Sequence, residues 1–264
     1  MPITRALMVS LLAALAASAG ADVWDTQNDN DNGTGTDNEL VHGSLQVHDL
    51  GVQPGNVADQ DWYLLGQKPF SSYEIVVDAT SGDISGGKGP QLDRIASDGL
   101  TVLQASDPVS DQLLFARTLR FQNTTALVVN DQFVRVVSTG CGTDCGVDDV
   151  YRLRAYETTC AIPRFNNAGG QATVVVLQNP TNYPIAGTLV FWNALGVALR
   201  QEPFTLPVHG VYTLNASGLS GLVGQSGAIT VLHNARYGDL VGKSVALDPA
   251  TGFSFDSPLS LRPR

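Results

Sequence analysis

The chain has 264 residues, 43% of them hydrophobic and 15% charged, with a formal net charge of −10 at pH 7. That acidity, without any basic stripe, argues against nucleic acid or an anionic membrane surface as a partner and leaves room for cations. The length suits two domains of about 100–150 residues.

The N-terminus reads as a secretory signal. Arg5 and the free amine give a positive start, residues 6–17 are apolar apart from Ser10, and Ala19-Gly20-Ala21 offers a small-residue cleavage site, with Ala17-Ser18-Ala19 as the alternative. The apolar run is shorter than the roughly 20 residues needed to cross a bilayer. No later segment is long and apolar enough to anchor the chain. The expectation is a cleaved signal peptide over 1–21 and a soluble protein, secreted to the extracellular space or the periplasm.

Residues 22–39 form a low-complexity, Asn/Asp-rich stretch that buries no apolar area and reads as an acidic, solvated linker. One alternative competes. With Asn28 as position one of a calcium loop, Asn30, Asn32, Gly33 and Glu39 fall at positions three, five, six and twelve. Position one is not Asp and no flanking helix is indicated, so this is oxygen-rich loop chemistry rather than an EF-hand.

From residue 40 the pattern is β. Strands are predicted at 44–50, 61–65, 72–78, 91–96, 100–104, 119–122 and 125–129, with turns such as Gln53-Pro54-Gly55-Asn56 and Ser97-Asp98-Gly99 between them. A closing pair follows over 130–156: Phe133, Arg135 and Val137 share one strand face, and Tyr151, Leu153 and Ala155 alternate with polar partners. The two are expected to form a hairpin across a cysteine-clipped loop. Three cysteines in an exported chain allow one bridge. Cys141 and Cys145 are the expected pair, across a Gly-containing turn, while pairing of Cys160 with either remains open. A zinc site is the rival, but it lacks a second metal-spaced pair.

Charge density drops at the junction over 158–163. Between Asp22 and Cys160 there are 21 acids and 8 bases; beyond them, 4 and 6. A second all-β run is predicted at 171–178, 185–192, 197–202, 210–215, 227–232 and 241–247, with 161–165 or 253–255 as edge additions. About seven strands in about 100 residues is the size of an immunoglobulin-like sandwich. The fold expected is all-β: two β-sandwich domains, over 40–158 and 159–264.

Asp59-Gln60-Asp61-Trp62-Tyr63, followed by Tyr73-Glu74-Ile75-Val76-Val77, resembles the opening of bacterial pre-peptidase C-terminal (PPC) domains. Ser97-Asp98-Gly99-Leu100 and the Phe133–Arg135 and Tyr151–Leu153 strands look like their later strand–turn–strand and final hairpin, so the likeness runs over about 38–156. It implies a jelly-roll sandwich of the kind appended to secreted peptidases, some of which bind calcium or matrix polymers. The Glu-Pro-Asn-Asp opening common in such domains is replaced here by the Asn/Asp run. The second half is similar to tails of uncharacterised exported bacterial proteins, which implies no activity.

Asp59 and Asp61 lie two apart at a strand start, so both carboxylates would face one side and repel unless a cation relieves them. They are the first metal candidates, calcium being the expected ion, with Asp29 and Asp31 as further ligands. His42 and His48 share a strand face, but two imidazoles without a third ligand are expected to be solvated. No catalytic residues are assigned. Gly224-Gln225-Ser226-Gly227, with His209, His233 and Asp239, suggests a serine hydrolase, yet its second glycine comes one residue early for a nucleophile elbow and a strand follows. The function expected is a secreted, non-catalytic binding or structural module, stabilised by calcium, with an extracellular protein or polysaccharide as partner. The alternatives are a hydrolase at Ser226 and a polysaccharide- or matrix-binding adhesin.

Overall fold

A computed structural model describes residues 31–53, 55–86, 89–108, 116–138 and 140–263. The signal segment, Asn28, Asp29 and Asn30 lie outside the described residues.

The first half contains β1 (Leu45–Asp49), β2 (Gln60–Gln67), β3 (Ser71–Ala79), β4 (Gln91–Ile95), β5 (Val102–Ala105), β6 (Asp107–Pro108), β7 (Arg117–Asn123), β8 (Val129–Val137) and β9 (Val150–Glu157). They build one sheet of order β1-β9-β3-β7-β6 and a second of order β2-β8-β4-β5. The second half contains β10 (Cys160–Asn166), β11 (Ala172–Gln178), β12 (Ile185–Asn193), β13 (Ala198–Leu206), β14 (Val211–Asn215), β15 (Ser226–His233), β16 (Val241–Leu247), β17 (Ser254–Pro258) and β18 (Ser260–Leu261). Its sheets run β13-β12-β15-β10-β18 and β14-β11-β16-β17. The fold is all-β, with two sandwiches, and no α-helix occurs among the described residues.

Period-2 alternation sets each core, because successive side chains leave a strand on opposite faces. Tyr63 and Leu65 of β2 meet Tyr151 and Leu153 of β9 in the first sandwich. Phe165, Leu177, Phe191 and Val231 fill the second. β3 departs from alternation: eight of its nine residues are buried. Its inner face supplies Tyr73, Ile75 and Val77 to the core. On its outer face Glu74 meets Tyr237 and Ser72 meets Thr158, so that side is covered as well.

Several expectations need correction. The closing pair is not a hairpin: β8 and β9 belong to different sheets, and the loop with Cys141 and Cys145 carries the chain from one layer to the other. The strand expected at 125–129 is a bend up to residue 128, with β8 starting only at Val129, because Asn123 Oδ1 accepts from both Thr125 N (3.1 Å) and Thr125 Oγ1 (2.7 Å) and bends the chain there. β10 is not an edge addition; it pairs with β15 on one side and β18 on the other. Residues 31–39 are not a solvated linker either. Asp31, Thr36 and Asn38 are buried, and this stretch lies along the outer edge of β2.

Candidate metal centre

β2 is an edge strand, and an edge presents backbone groups that need partners. The acidic stretch supplies them. Trp62 N donates to Asp31 O (2.6 Å), Leu64 N to Asn38 O (2.8 Å) and Leu40 N to Leu64 O (3.0 Å). Thr36 Oγ1 donates to Trp62 O (2.9 Å). Residues 31–39, which have no apolar side chain, are thus held by hydrogen bonds, and Asp31 is carried beside Trp62 at the edge of the first sandwich.

Asp61 shares its strand face with Tyr63 and Leu65, which places its carboxylate between the sheets. His48 of β1 pairs with Tyr151 of β9 within the other sheet, the one that β2 does not belong to. Asp31, His48 and Asp61 are 1%, 2% and 0% exposed, and each offers a ligand atom within 4.8 Å of the other two. Two ionised carboxylates at that separation repel by about 3.5 kcal/mol at an effective dielectric of 20. A cation, or a retained proton, removes that cost.

The aromatic residues around the group are ordered by their hydroxyls. Tyr151 Oη donates to Asp61 Oδ2, and it therefore accepts from Tyr63 Oη at 2.6 Å. Burial, then the Asp61 charge and Tyr63, hold the Tyr151 hydroxyl well above the usual phenol range, so it stays a donor. The His48 ring stacks on Tyr151 (5.7 Å between centroids) and meets Tyr63 edge-on at 5.3 Å.

Of the four expected metal residues, Asp31 and Asp61 come together. Asp59 is buried but stands outside the group; its Oδ1 accepts from Gln53 Nε2 and Gln60 N, both at 2.9 Å. Asp29 lies outside the described residues. The sequence reading missed His48 as a partner and treated it as solvated. Its burial comes from cross-strand pairing with Tyr151, a register that local spacing does not reveal. His42, its expected companion, is elsewhere: it accepts from Glu157 N at Nδ1 (2.9 Å) and lines a cleft of about 200 Å³ with Lys68, Tyr156 and Arg262.

A second convergent group, Cys141, Cys145 and Asp149, is already committed. The two cysteines form a disulfide, so neither offers a thiolate, and Asp149 accepts from Gly146 N (2.6 Å) and Ile84 N (3.1 Å).

Ser226 and His233, two of the residues suggesting a hydrolase, stand apart. Ser226 and His233 are the first and last residues of β15, about 23 Å apart at strand rise. Asp239 accepts from Tyr183 Oη at 2.6 Å. His233 does meet a nucleophile, Cys160 Sγ, at 3.4 Å. However, Ala235 N donates to His233 Nδ1 (3.1 Å), which leaves the proton on Nε2 and no lone pair to take the thiol's. Burial pushes the Cys160 thiol up to about 12 and the His233 imidazole down to about 4, so both stay neutral.

No family model matches the chain, and no curated protein matches it. Among solved structures, it is similar to a calcium binding mutant of Bacteroides uniformis β-glucuronidase 2, at 12% identity over 76% of this chain and 26% of that one, with a TM-score of 0.19. It is also similar to a β-glucuronidase from glycoside hydrolase family 2, at 11% identity over 89% of this chain and 26% of that one, with a TM-score of 0.19. The Bacteroides uniformis β-glucuronidase is likewise matched, at 12% identity over 84% of this chain and 28% of that one, with a TM-score of 0.20. The chain spans about a quarter of the length of these structures, and likenesses at such scores carry no argument about activity.

Proposed function

We propose that this chain is an exported, non-catalytic module with a binding or structural role outside the cytoplasm, its first sandwich PPC-like and held by a divalent cation. The signal-like N-terminus and the Cys141–Cys145 bridge support export. The observation that carries the non-catalytic assignment is the separation of Ser226 from His233 at opposite ends of β15. The glycines around that serine have backbone reasons: Gly224 holds φ +70°, and a Cβ on Gly227 would meet Trp192 O at 1.8 Å. Asp31 and Asp61 would hold the cation and tie the 31–40 stretch to β2. Calcium, the ion implied by the PPC resemblance, suits the two carboxylates, although an imidazole is foreign to its oxygen-only preference.

A panel of ester and peptide substrates tests the assignment. The expected result is no turnover by the purified protein; turnover abolished by Ser226→Ala overturns it. A divalent cation at millimolar concentration should raise the melting temperature, and Asp31→Ala with Asp61→Ala should remove that rise.

A polysaccharide partner has one observation in its favour. An open groove of about 530 Å³ in the second sandwich is lined by Trp192, Asn193, Asn166 and Arg164. An aromatic face beside amides and a guanidinium is the chemistry that sugars require. A glycan array tests it: Trp192→Ala should abolish any signal that the unaltered protein gives.

A further inference from the structure

We infer that the ion held by Asp31, His48 and Asp61 is a zinc-class divalent transition metal rather than calcium, with His48 as the ligand that selects it. The inference rests on the cation-held reading of the first sandwich and names the ion that this site takes.

The donor set is the first reason. One imidazole and two carboxylates, all buried and mutually within 4.8 Å, suit a small borderline ion that accepts nitrogen and few ligands. Calcium takes six to eight oxygens. Three protein donors leave one position of a tetrahedral zinc site for a further ligand.

The orientation of His48 is the second, independent reason. Gln46 Nε2 donates to Glu39 O at 3.4 Å, so the amide is turned with Oε1 toward His48. Gln46 Oε1 lies 3.0 Å from His48 Nε2 and can only accept, so Nε2 is the protonated nitrogen and, in the neutral ring, Nδ1 is the one with the lone pair. A ring nitrogen fixed as a donor to an outer partner, with the other presented as a ligand, is the arrangement in which metal-binding histidines are held. Asp61 is oriented in the same way: Tyr151 Oη donates to its Oδ2, which fixes the rotation of the carboxylate. The imidazole, the carboxylate and their outer partners come from β1, β2 and β9, so the geometry is set by both sheets of the sandwich.

The test is calorimetric titration of the EDTA-stripped, dialysed protein with zinc chloride and, separately, calcium chloride, with cobalt(II) absorption as a spectroscopic readout. One zinc should bind at least about 100-fold more tightly than calcium, and His48→Gln should weaken zinc by about 10–100-fold while leaving any calcium binding unchanged. Cobalt should show the strong visible bands of a low-coordinate site, lost in His48→Gln. His209→Ala, which alters an exposed histidine, should change nothing. Should His48→Gln fail to fold, Gln46→Ala keeps the ligand, frees the ring, and should weaken zinc by about 10-fold. Calcium binding more tightly than zinc, or zinc affinity unmoved by His48→Gln and Gln46→Ala, overturns the choice of ion and leaves a cation-held sandwich. No binding of either ion overturns both.

Discussion

Tyr237 of the second sandwich donates its backbone N–H to the Glu74 carboxylate on β3 of the first, at 2.9 Å. Arg120 of the first half and Arg236 of the second both lie over the Tyr183 ring, with their guanidinium carbons 4.9 and 5.5 Å from its centroid. Tyr183 Oη in turn accepts from Arg236 N at 3.0 Å and donates to Asp239 at 2.6 Å. The two sandwiches thus meet across a polar junction, with Glu74 its most buried carboxylate. Burial holds the Glu74 carboxyl above the usual carboxylate range, against the opposing pull of the Tyr237 N–H and of Arg120 and Arg236.

A carboxyl raised in the fold contributes stability that is present below its unfolded value and lost as pH rises through the folded one. Above the unfolded value, and so at neutral pH, burial of the Glu74 carboxyl therefore weakens the fold. Glu74→Gln keeps an oxygen to accept from Tyr237 and removes the buried charge. It should raise the melting temperature at pH 7, and the gain should vanish near pH 4, where the unaltered residue is protonated. Thermal melts at the two pH values check both halves of this expectation; a lower melting temperature at pH 7 would show that the arginines outweigh burial.

His233 carries the opposite sign. Its imidazole is depressed to about 4 from an ordinary 6.5, chiefly by burial, so the unfolded chain takes up a proton in that window and the folded chain does not. Its stability contribution is present above pH 6.5 and lost as pH falls toward about 4, at about 1.4 kcal/mol per unit and about 3 kcal/mol in all. The unaltered protein should lose more stability than His233→Gln between pH 7 and 4.5, by denaturant unfolding. The Cys160 thiol beside it, pushed up to about 12 by burial, should resist iodoacetamide at pH 8 until the chain is unfolded.

The bridge between Cys141 and Cys145 closes a sequence separation of four residues and joins the loop that carries the chain between sheets. A ring that small constrains the unfolded chain by about 2 kcal/mol on the loop-entropy account. Cys141→Ser with Cys145→Ser should cost about that much by urea unfolding, without loss of the fold. A cost above about 5 kcal/mol would mean that the bridge also holds β8 and β9 in place.

What the sequence revealed was the part governed by local pattern. Alternation placed β2, β3, β11, β12 and β16 to within a residue or two, because each buries one face or both against a partner sheet. The fate of residues 31–39 was hidden, since a stretch without apolar side chains gives no sign that its backbone will pair with Trp62 and Leu64. The same holds for the candidate site. Asp61 was marked by its spacing, whereas His48 joins it through a β1–β9 register fixed by pairing across about 100 residues of chain, and only the folded sheets bring them together.

Gly227 tests the remaining ambiguity around Ser226. If the Gly-Gln-Ser-Gly stretch were catalytic, its second glycine would serve to open the nucleophile's turn. In the fold it faces Asn193 across the β12–β15 ladder, and a Cβ there would meet Trp192 O at 1.8 Å and Trp192 C at 2.9 Å. Those are backbone atoms, which cannot rotate away, so strand β15 must shift to admit a methyl group. Gly227→Ala should therefore destabilise the second sandwich by about 1–3 kcal/mol. Ser226→Ala, at an exposed strand end one residue earlier, should stay within about 0.5 kcal/mol. Chemical denaturation of the two variants separates the roles: comparable stability for both would mean that the glycine is not there for packing.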